Sequence, residues 1–165
     1  IKVVTGDGAK WITECVNEYT PGCARCVDPF HVVEWAMTAL DEVRKDIWHD
    51  AYSEYKQVKK DNPRGKGRPK KDAPGLAIVK AAKAKADEIK GSAYALGKAP
   101  EHLSEKQQLR VNLIASQNPR LYRAYLLKEQ LRLLLKLTNV DEAEDELKRW
   151  LWKASHSRIP AFKEL

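Results

Sequence analysis

The sequence predicts a mainly helical protein that begins with a small α/β part. Two short apolar runs, 1–5 and 23–27, are typical of strands, and the segment between them has helical spacing. After residue 28 the apolar residues recur at steps of three and four. The last three of these segments have short connectors and little β-branched content, which favours helices over further sheet. We therefore predict an α/β part at 1–28 and an all-helical part at 29–165.

The first elements in order form a strand, a helix and a second strand. The run 1–5 ends in Gly6-Asp7-Gly8, which is turn chemistry, and Pro21-Gly22 ends the helix that follows. Strands joined by a crossover helix are parallel, and chemistry gathers at the carboxyl ends of parallel strands. Asp7 and Asp28 each follow one strand, so we expect both at that edge of the sheet.

The remaining elements are helices with recognisable start signals. Asp28 and Asn139 are in N-cap positions, and Pro29 suits the first helical residue. The predicted helices lie at 29–55, at 79–96, at 103–115 beginning near Ser104, at 119–135, and from 139 onward. The last of them has a predicted buried stripe made of Val140, Ala143, Leu147, Leu151 and Ala154. The five tryptophans are predicted to lie in the core or in interfaces, with base-stacking platforms as the alternative. They are Trp11, Trp35, Trp48, Trp150 and Trp152.

Charge and hydropathy narrow the classes of partner. The chain of 165 residues has a net charge of +7 and a pI near 9.3, which favours nucleic acid as the partner, with a basic but uninvolved surface as the alternative. It has neither a membrane-spanning run nor a secretory signal, so we expect a cytoplasmic protein without a membrane partner. The first residues read as a strand already under way, which indicates a piece of a longer protein.

The three cysteines are predicted to be free thiols, because their number is odd and no export signal is present. Cys23 and Cys26 could bind zinc together with Cys15 and His31. That alternative is weak, since a lone Cys-x-x-Cys pair lacks the second well-spaced ligand pair.

A basic segment at about 59–74 is predicted to be a flexible loop. Its core, 59–71, has seven basic residues with two prolines and two glycines, so it cannot pack as a regular element. A Gly-Arg-Pro core resembles the AT-hook, which lies in the minor groove of A·T-rich DNA. The candidate DNA-binding residues are Lys59, Lys60, Arg64, Lys66, Arg68, Lys70 and Lys71. The alternative is a solvated linker.

Asp7 is the candidate metal ligand. It lies between two glycines directly after a strand, and hard divalent cations prefer such carboxylate oxygens. An ordinary turn aspartate is the alternative. Asp28 and His31 form a second candidate site at the end of the second strand, and here the alternative is an N-cap followed by a histidine in the first helical turn.

These residues resemble a known family, the transposases of the insertion-sequence family called ISL-three. The resemblance begins with Gly-Asp7-Gly after the first strand, and its specific part is the pair of motifs that follows. These motifs are Asp28-x-Phe-His31-Val and the run Ala-Leu-Asp-Glu-Val-Arg at 39–44. The resemblance continues with Leu-x-x-Ala-Tyr-x-x-Lys-Glu at 121–129 and extends to Ile-Pro at 159–160. It covers most of the chain, although its helical portion is less specific.

The resemblance implies a partial ribonuclease-H-like catalytic core at 1–28 followed by a helical insertion domain. Asp7 is then the second acidic residue of an Asp-Asp-Glu triad and a metal ligand, and Asp28 and His31 match an Asp-x-x-His motif beside it. The first Asp is expected before residue 1 and the Glu after residue 165. The complete enzyme would use two Mg²⁺ or Mn²⁺ ions held by all three carboxylates. Because this chain has one of the three, it should be inactive on its own.

The resemblance further implies that the parent protein carries out DNA transposition by phosphodiester cleavage and strand transfer. Its DNA partners would be the transposon ends and the target. It would act as a homodimer or a larger oligomer. It would be located in the bacterial cytoplasm, in association with the nucleoid. Two alternatives stay open. One is a non-enzymatic helical module that binds DNA or a protein, and the other is a ribonuclease-H-like nuclease or resolvase outside transposition.

Overall fold

The computed structural model describes residues 1–63 and 74–165. Its sheet has two parallel strands, β1 (Val3–Gly6) and β2 (Ala24–Val27), joined by helix α1 (Lys10–Tyr19). The register pairs the last residue of β1 with the last residue of β2. The predicted strand, helix and strand with parallel pairing are therefore confirmed.

The remainder of the described chain is helical, as predicted. The helices are α2 (Pro29–Asp61), α3 (Pro74–Gly91), α4 (Ala93–Gly97), α5 (Glu105–Gln117), α6 (Pro119–Leu134), α7 (Val140–His156) and α8 (Pro160–Lys163), with a 3-10 turn at Pro100–His102. Among the described residues, no helix combines the length and the apolar character needed to cross a membrane.

The chain forms two compact units, each with its own core. The first contains Ile1–Ala39 and Leu126–Leu165, and the second contains Leu40–Tyr125. The core of the first unit includes Val16, Ala36, Leu127, Leu131, Trp150, Ile159 and Phe162. The core of the second includes Leu40, Val43, Val79, Ile89, Leu96, Ile114 and Leu121. The functional boundary at residue 28, between catalytic core and insertion, concerns roles and stays a prediction.

The predicted helix starts are formed by the expected side chains. The Asp28 carboxylate accepts a hydrogen bond of 2.8 Å from the Phe30 backbone N–H. The Asn139 side chain accepts bonds from two backbone N–H groups in the first turn of α7, at 3.0 and 3.3 Å. Each cap pairs N–H groups that have no partner inside their own helix. The predictions for both N-caps are confirmed.

The single helix predicted over 79–96 is wrong, because the structure divides it after Gly91 into α3 and α4. Glycine disfavours the interior of a helix by about 1 kcal/mol relative to alanine, so an end is inexpensive there. Two arginines bind the carbonyl groups that the break exposes. Arg110 Nη1 donates to the carbonyl of Gly91 at 2.7 Å, and Arg44 Nη1 donates to that of Lys90 at 3.4 Å.

The buried stripe predicted for α7 is correct for Ala154, which is buried, and wrong for the larger residues of the stripe. Its large side chains are exposed, namely those of Val140, Leu147 and Leu151. Trp150 is buried instead, and its Nε1–H donates to the carbonyl of Leu127 at 2.9 Å. A buried indole needs a partner for its N–H, and this bond sets which side of α7 faces α6.

Trp150 lies in the core, as predicted, whereas Trp11 and Trp152 are 65% and 63% exposed and are not core residues. For these two, the predicted place in an interface stays a prediction. Trp152 is two residues from Trp150, and two helical steps turn a side chain to nearly the opposite face. It stacks on the ring of His156 with centroids 4.5 Å apart. The position of a tryptophan in an amphipathic helix therefore predicts its burial only when the buried face of that helix is known.

Candidate functional site

The candidate site lies where the two parallel strands end. The register pairs Gly6 with Val27, so Asp7 and Asp28 are the next residues on neighbouring strands. The Asp28 N–H donates to the Gly6 carbonyl at 3.0 Å, which continues the ladder by one step. Both aspartates are exposed at this edge. The predicted placement at the carboxyl ends of adjacent strands is confirmed.

Gly8 allows α2 to approach the loop that carries Asp7. A Cβ atom at Gly8 would lie 2.1 Å from Trp35 Cζ2 and 2.4 Å from Trp35 Cη2. Those distances are far inside van der Waals contact, so any larger residue would require the indole ring or the loop to move. Trp35 therefore fixes the position of the backbone immediately after Asp7.

His31 connects the two sides of the site. Its Nε2 lies 3.8 Å from Asp7 Oδ1, and its Nδ1 lies 3.3 Å from Glu34 Oε2. The imidazole thus stands between two carboxylates, one from the loop and one from its own helix. His31 is the less exposed partner, with 27% of its side chain exposed against 59% for Asp7. This arrangement can orient the Asp7 carboxylate while leaving it open to solvent.

Asp28 has a structural role in this corner. Its carboxylate caps α2 through the Phe30 N–H, and its carbonyl accepts from the His31 N–H at 3.0 Å. Phe30 itself is exposed and stands edge-on to the His31 ring, with centroids 5.6 Å apart. The N-cap interpretation of Asp28 is thus confirmed, and a second role in chemistry stays a prediction.

Arg25 is a residue that sequence reasoning missed. From β2, its Nη2 donates to the backbone carbonyl of Asp7 and its Nη1 donates to Thr13 Oγ1 at 2.7 Å. Its Nε is buried without a hydrogen-bond partner in the described part of the chain. The guanidinium therefore links the loop, α1 and β2 beneath the exposed aspartate. A charged residue inside a four-residue strand was the available signal.

Oxygen and nitrogen ligands are close together here, but they are few. Among residues 1–63 and 74–165, no group of three or more His, Cys, Asp or Glu side chains is arranged to hold a metal ion. The three cysteines are free, and Cys15 and Cys26 are exposed. Neither the weak zinc alternative nor a complete two-ion site is formed by the described side chains.

The predicted DNA-binding segment is only partly within the described residues. Lys59 and Lys60 lie in the last turn of α2, so the loop prediction is wrong for them. Lysine is a good helix former and its charge is favourable near a helix C-terminus, which explains the longer helix. The Asn62 side chain donates to the Val58 carbonyl at 2.9 Å and closes this end. The other candidates, Arg64, Lys66, Arg68, Lys70 and Lys71, lie outside the described residues.

Comparison with known proteins gives a consistent result. The family of DDE transposases of the ISL3 type, described as transposase, matches residues 1–165. Two curated relatives are the transposases for insertion sequence element IS1557 of Mycobacterium tuberculosis, from strains CDC 1551 / Oshkosh and ATCC 25618 / H37Rv. Each is 42% identical over 163 residues, which is 98% of this chain and 35% of the relative. The chain thus spans about a third of the length of these relatives. No solved structure matches it.

Proposed function

The chain belongs to the ISL-three (ISL3) family of transposases, and on that premise we propose that it forms the middle of a DDE catalytic domain. Residues 1–28 would be part of a ribonuclease-H-like core, and residues 29–165 its helical insertion. The activity of the whole protein would be DNA transposition by metal-dependent phosphodiester cleavage and strand transfer. Asp7 would be one carboxylate of the triad.

The observation that carries this proposal is the 3.8 Å approach of His31 Nε2 to Asp7 Oδ1 at the ends of paired parallel strands. A non-enzymatic helical module would need Asp7 only as a turn residue and Asp28 only as a cap. It would have no reason to bring an imidazole to an exposed carboxylate. The convergence therefore favours the enzyme over the module.

Asp7 suits a divalent ion in its chemistry. Its carboxylate is a hard oxygen donor, and 59% of its side chain is exposed, so an ion can reach it. In the complete enzyme, Asp7 would hold a Mg²⁺ or Mn²⁺ ion of a two-ion site, and such ions would supply Lewis-acid stabilisation of phosphodiester cleavage. The described residues supply too few ligands for this on their own. The other two carboxylates would come from parts of the parent protein outside this chain.

The neighbours of Asp7 would act by positioning it. His31 holds one side of the carboxylate, and Glu34 engages the far ring nitrogen, which fixes the orientation of the imidazole. Arg25 contacts the backbone carbonyl of the aspartate itself, and Trp35 contacts the glycine that follows it. Pre-set ligands lose little freedom when the ion and the phosphate arrive. Asp28 contributes by fixing where α2 begins.

DNA would be the partner, as transposon ends and as target, and the working state would be a homodimer or a larger assembly. The net charge of +7 supports binding to a polyanion. We assign part of this binding to the basic segment, through Lys59, Lys60, Arg64, Lys66, Arg68, Lys70 and Lys71. Neutralising about five phosphates would give a log-log salt slope near −4 to −5.

The test uses the full-length transposase with labelled transposon-end DNA. Asp7→Asn should abolish cleavage and strand transfer while leaving DNA binding intact, because it removes a metal ligand. His31→Gln should lower the cleavage rate by about 10- to 100-fold, as expected for a residue that orients a ligand. Asp87→Asn, at an exposed aspartate on α3, is the matched control. Cleavage by Asp7→Asn at the rate of the unaltered enzyme would refute the proposal.

The chain alone offers a second readout. It should bind Mn²⁺ weakly and nick no DNA, since it has one carboxylate of the proposed three. Paramagnetic broadening of the amide signals of Gly6 and Gly8 should be present in the unaltered chain and absent in Asp7→Asn. Mn²⁺-dependent nicking by the chain alone would contradict the proposed division of the triad.

A further inference from the structure

The second half of α2 carries a row of aromatic and basic side chains along one face. Its members recur at steps of three and four residues, so they follow one side of the helix: Lys45, Trp48, His49, Tyr52, Tyr55, Lys56 and Lys59. We call this set the aromatic–lysine stripe. Its three large rings are half-buried, whereas its lysines and histidine are exposed. All of its residues lie within the compact unit Leu40–Tyr125.

The rings of the stripe form a continuous series. Trp48 stacks on Tyr52 with centroids 5.4 Å apart and an interplanar angle of 21°, and Tyr52 is followed by Tyr55 at 5.7 Å. Lysine ammonium groups lie over two of these rings. Lys56 Nζ is 4.9 Å from the Tyr52 centroid, and Lys90 Nζ from α3 is 5.6 Å from that of Trp48. Positive charge is therefore held directly at an aromatic surface.

The acidic residues of the same helix segment are on the other side. Asp46, Asp50, Glu54 and Asp61 form their own stripe by spacing, roughly opposite the aromatic rings. Asp46 pairs with Arg120 at 3.7 Å, and Glu54 pairs with Lys85 at 2.8 Å. Asp41 lies one helical turn before the first residue of the stripe, and it pairs with Arg44 and Lys45. The helix thus separates a basic aromatic face from an acidic one.

We propose that the aromatic–lysine stripe binds a single-stranded stretch of DNA. Unpaired bases would stack on the rings in place of the lysine ammonium groups that now lie over them. The released Lys56, together with Lys59 and the exposed end of Lys45, would contact phosphates. The stripe from Lys45 to Lys59 is about 21 Å long at 1.5 Å per residue. That length corresponds to about six nucleotides at 3.4 Å each, which is within the range of known single-strand sites.

Single-stranded DNA is favoured over other occupants by the combination of features. A duplex presents phosphates but hides its base faces, so the rings would have nothing to stack on. An acidic peptide would use the lysines without needing the series of rings. The inference rests on the proposed function, because cleavage of DNA creates free strand ends whose terminal bases can unpair.

The chain offers a matched control for both kinds of group. Tyr94 on α4 is exposed, and Lys98 Nζ lies 4.8 Å above its ring. This pair repeats the Tyr52–Lys56 contact within the same compact unit, on α4 and not on the helix that carries the stripe. Substitutions of Tyr94 and Lys98 therefore remove the same chemical groups without affecting the proposed site.

The experiment measures fluorescence anisotropy of a labelled oligothymidylate of about 20 nucleotides, and of a duplex of equal length, with the whole chain. Tyr52→Ala should weaken binding of the single strand by about 5- to 150-fold, the range for loss of one stacking platform. Lys56→Ala should lower the salt slope by about 0.7. Tyr94→Ala and Lys98→Ala should leave both values unchanged, and Tyr52→Phe should restore binding.

Several outcomes would overturn the inference. One is an equal loss of single-strand affinity in Tyr94→Ala and Tyr52→Ala, and another is a salt slope that Lys56→Ala leaves unchanged. The others are tighter binding of the duplex than of the single strand, and displacement of the oligonucleotide by polyglutamate at equal charge. Lys56 is exposed, so Lys56→Ala still tests the proposed phosphate contact even if Tyr52→Ala fails to fold. Failure here is distinguishable from failure of the catalytic proposal. The Mn²⁺ broadening at Gly6 and Gly8 depends on Asp7 and not on the stripe.

Discussion

The contact between Gly8 and Trp35 gives the sharpest test of how the site is built. In Gly8→Ala, the new Cβ would begin 2.1 Å from an indole carbon, so the ring or the loop must move. Overpacking of this kind costs about 1–3 kcal/mol. Trp35 is 39% exposed and has room to swing toward solvent, so we expect about 1–2 kcal/mol.

Gly6→Ala is the matched control, because it adds the same methyl group two residues earlier. A Cβ atom at Gly6 meets nothing within 4 Å, and its backbone is not in the left-handed region. Alanine there should be neutral or stabilising by about 0.4–1 kcal/mol through the unfolded state. Urea unfolding of the two variants therefore separates a steric effect from the loss of backbone freedom.

A double-mutant cycle with Trp35→Ala decides the cause. If the ring is the obstacle, Gly8→Ala should cost nearly nothing in the Trp35→Ala background, a coupling of about 1 kcal/mol or more. Additive free energies of unfolding, within about 0.5 kcal/mol, would refute the reasoning. In the full-length enzyme, Gly8→Ala should also lower cleavage, because it displaces the loop that presents Asp7, whereas Gly6→Ala should not.

The remaining predictions concern charges. Glu129 is buried between Lys128 and Arg132, so Glu129→Ala should lower the free energy of unfolding by about 3 kcal/mol, the lower end for a broken buried pair; a loss below about 1 kcal/mol would contradict this. Burial raises the pKa of Asp41, but hydrogen bonds and positive charge from its two basic neighbours lower that pKa by more, to below its ordinary value of 3.8. Its stabilising effect is therefore full above that value and is lost as the pH falls through the lowered pKa. Asp41→Asn should cost less than about 1 kcal/mol at pH 7, since solvent screens the pair, and nothing in strong acid; a cost that persists in acid, or one matched by Asp87→Asn, would exclude this cause.

Local signals in the sequence predicted the framework of the site well. The α/β beginning followed from two apolar runs separated by turn residues, and Asp28 was recognisable as a cap from its place before a proline. From parallel pairing alone, Asp7 and the Asp28–His31 pair were expected at one edge, and the structure places them there. These features depend on neighbours in the chain or on a general rule of strand pairing.

The features that were missed depend on contacts between distant parts of the chain. Gly8 and Trp35 are far apart in sequence, and nothing in either neighbourhood indicates that they touch. Trp150 lies off the stripe that spacing predicted for α7, and it is buried with its Nε1–H donating to the carbonyl of Leu127 on a distant helix. The spacing of apolar residues indicates that a helix has a packed side. It does not report which of two competing sides is packed when both contain large apolar residues.

The start of α2 links the fold to the proposed chemistry. The Asp28 cap fixes the first turn, and each residue along a helix then turns by about 100°, so the cap determines the direction of every later side chain. His31 and Trp35 are four residues apart and therefore point to the same side. They meet two consecutive loop residues, Asp7 and Gly8. A shift of the helix start by one residue would rotate both contacts away together. The cap interpretation and the catalytic interpretation of Asp28 are thus compatible, since the aspartate can serve the site through the geometry that it imposes.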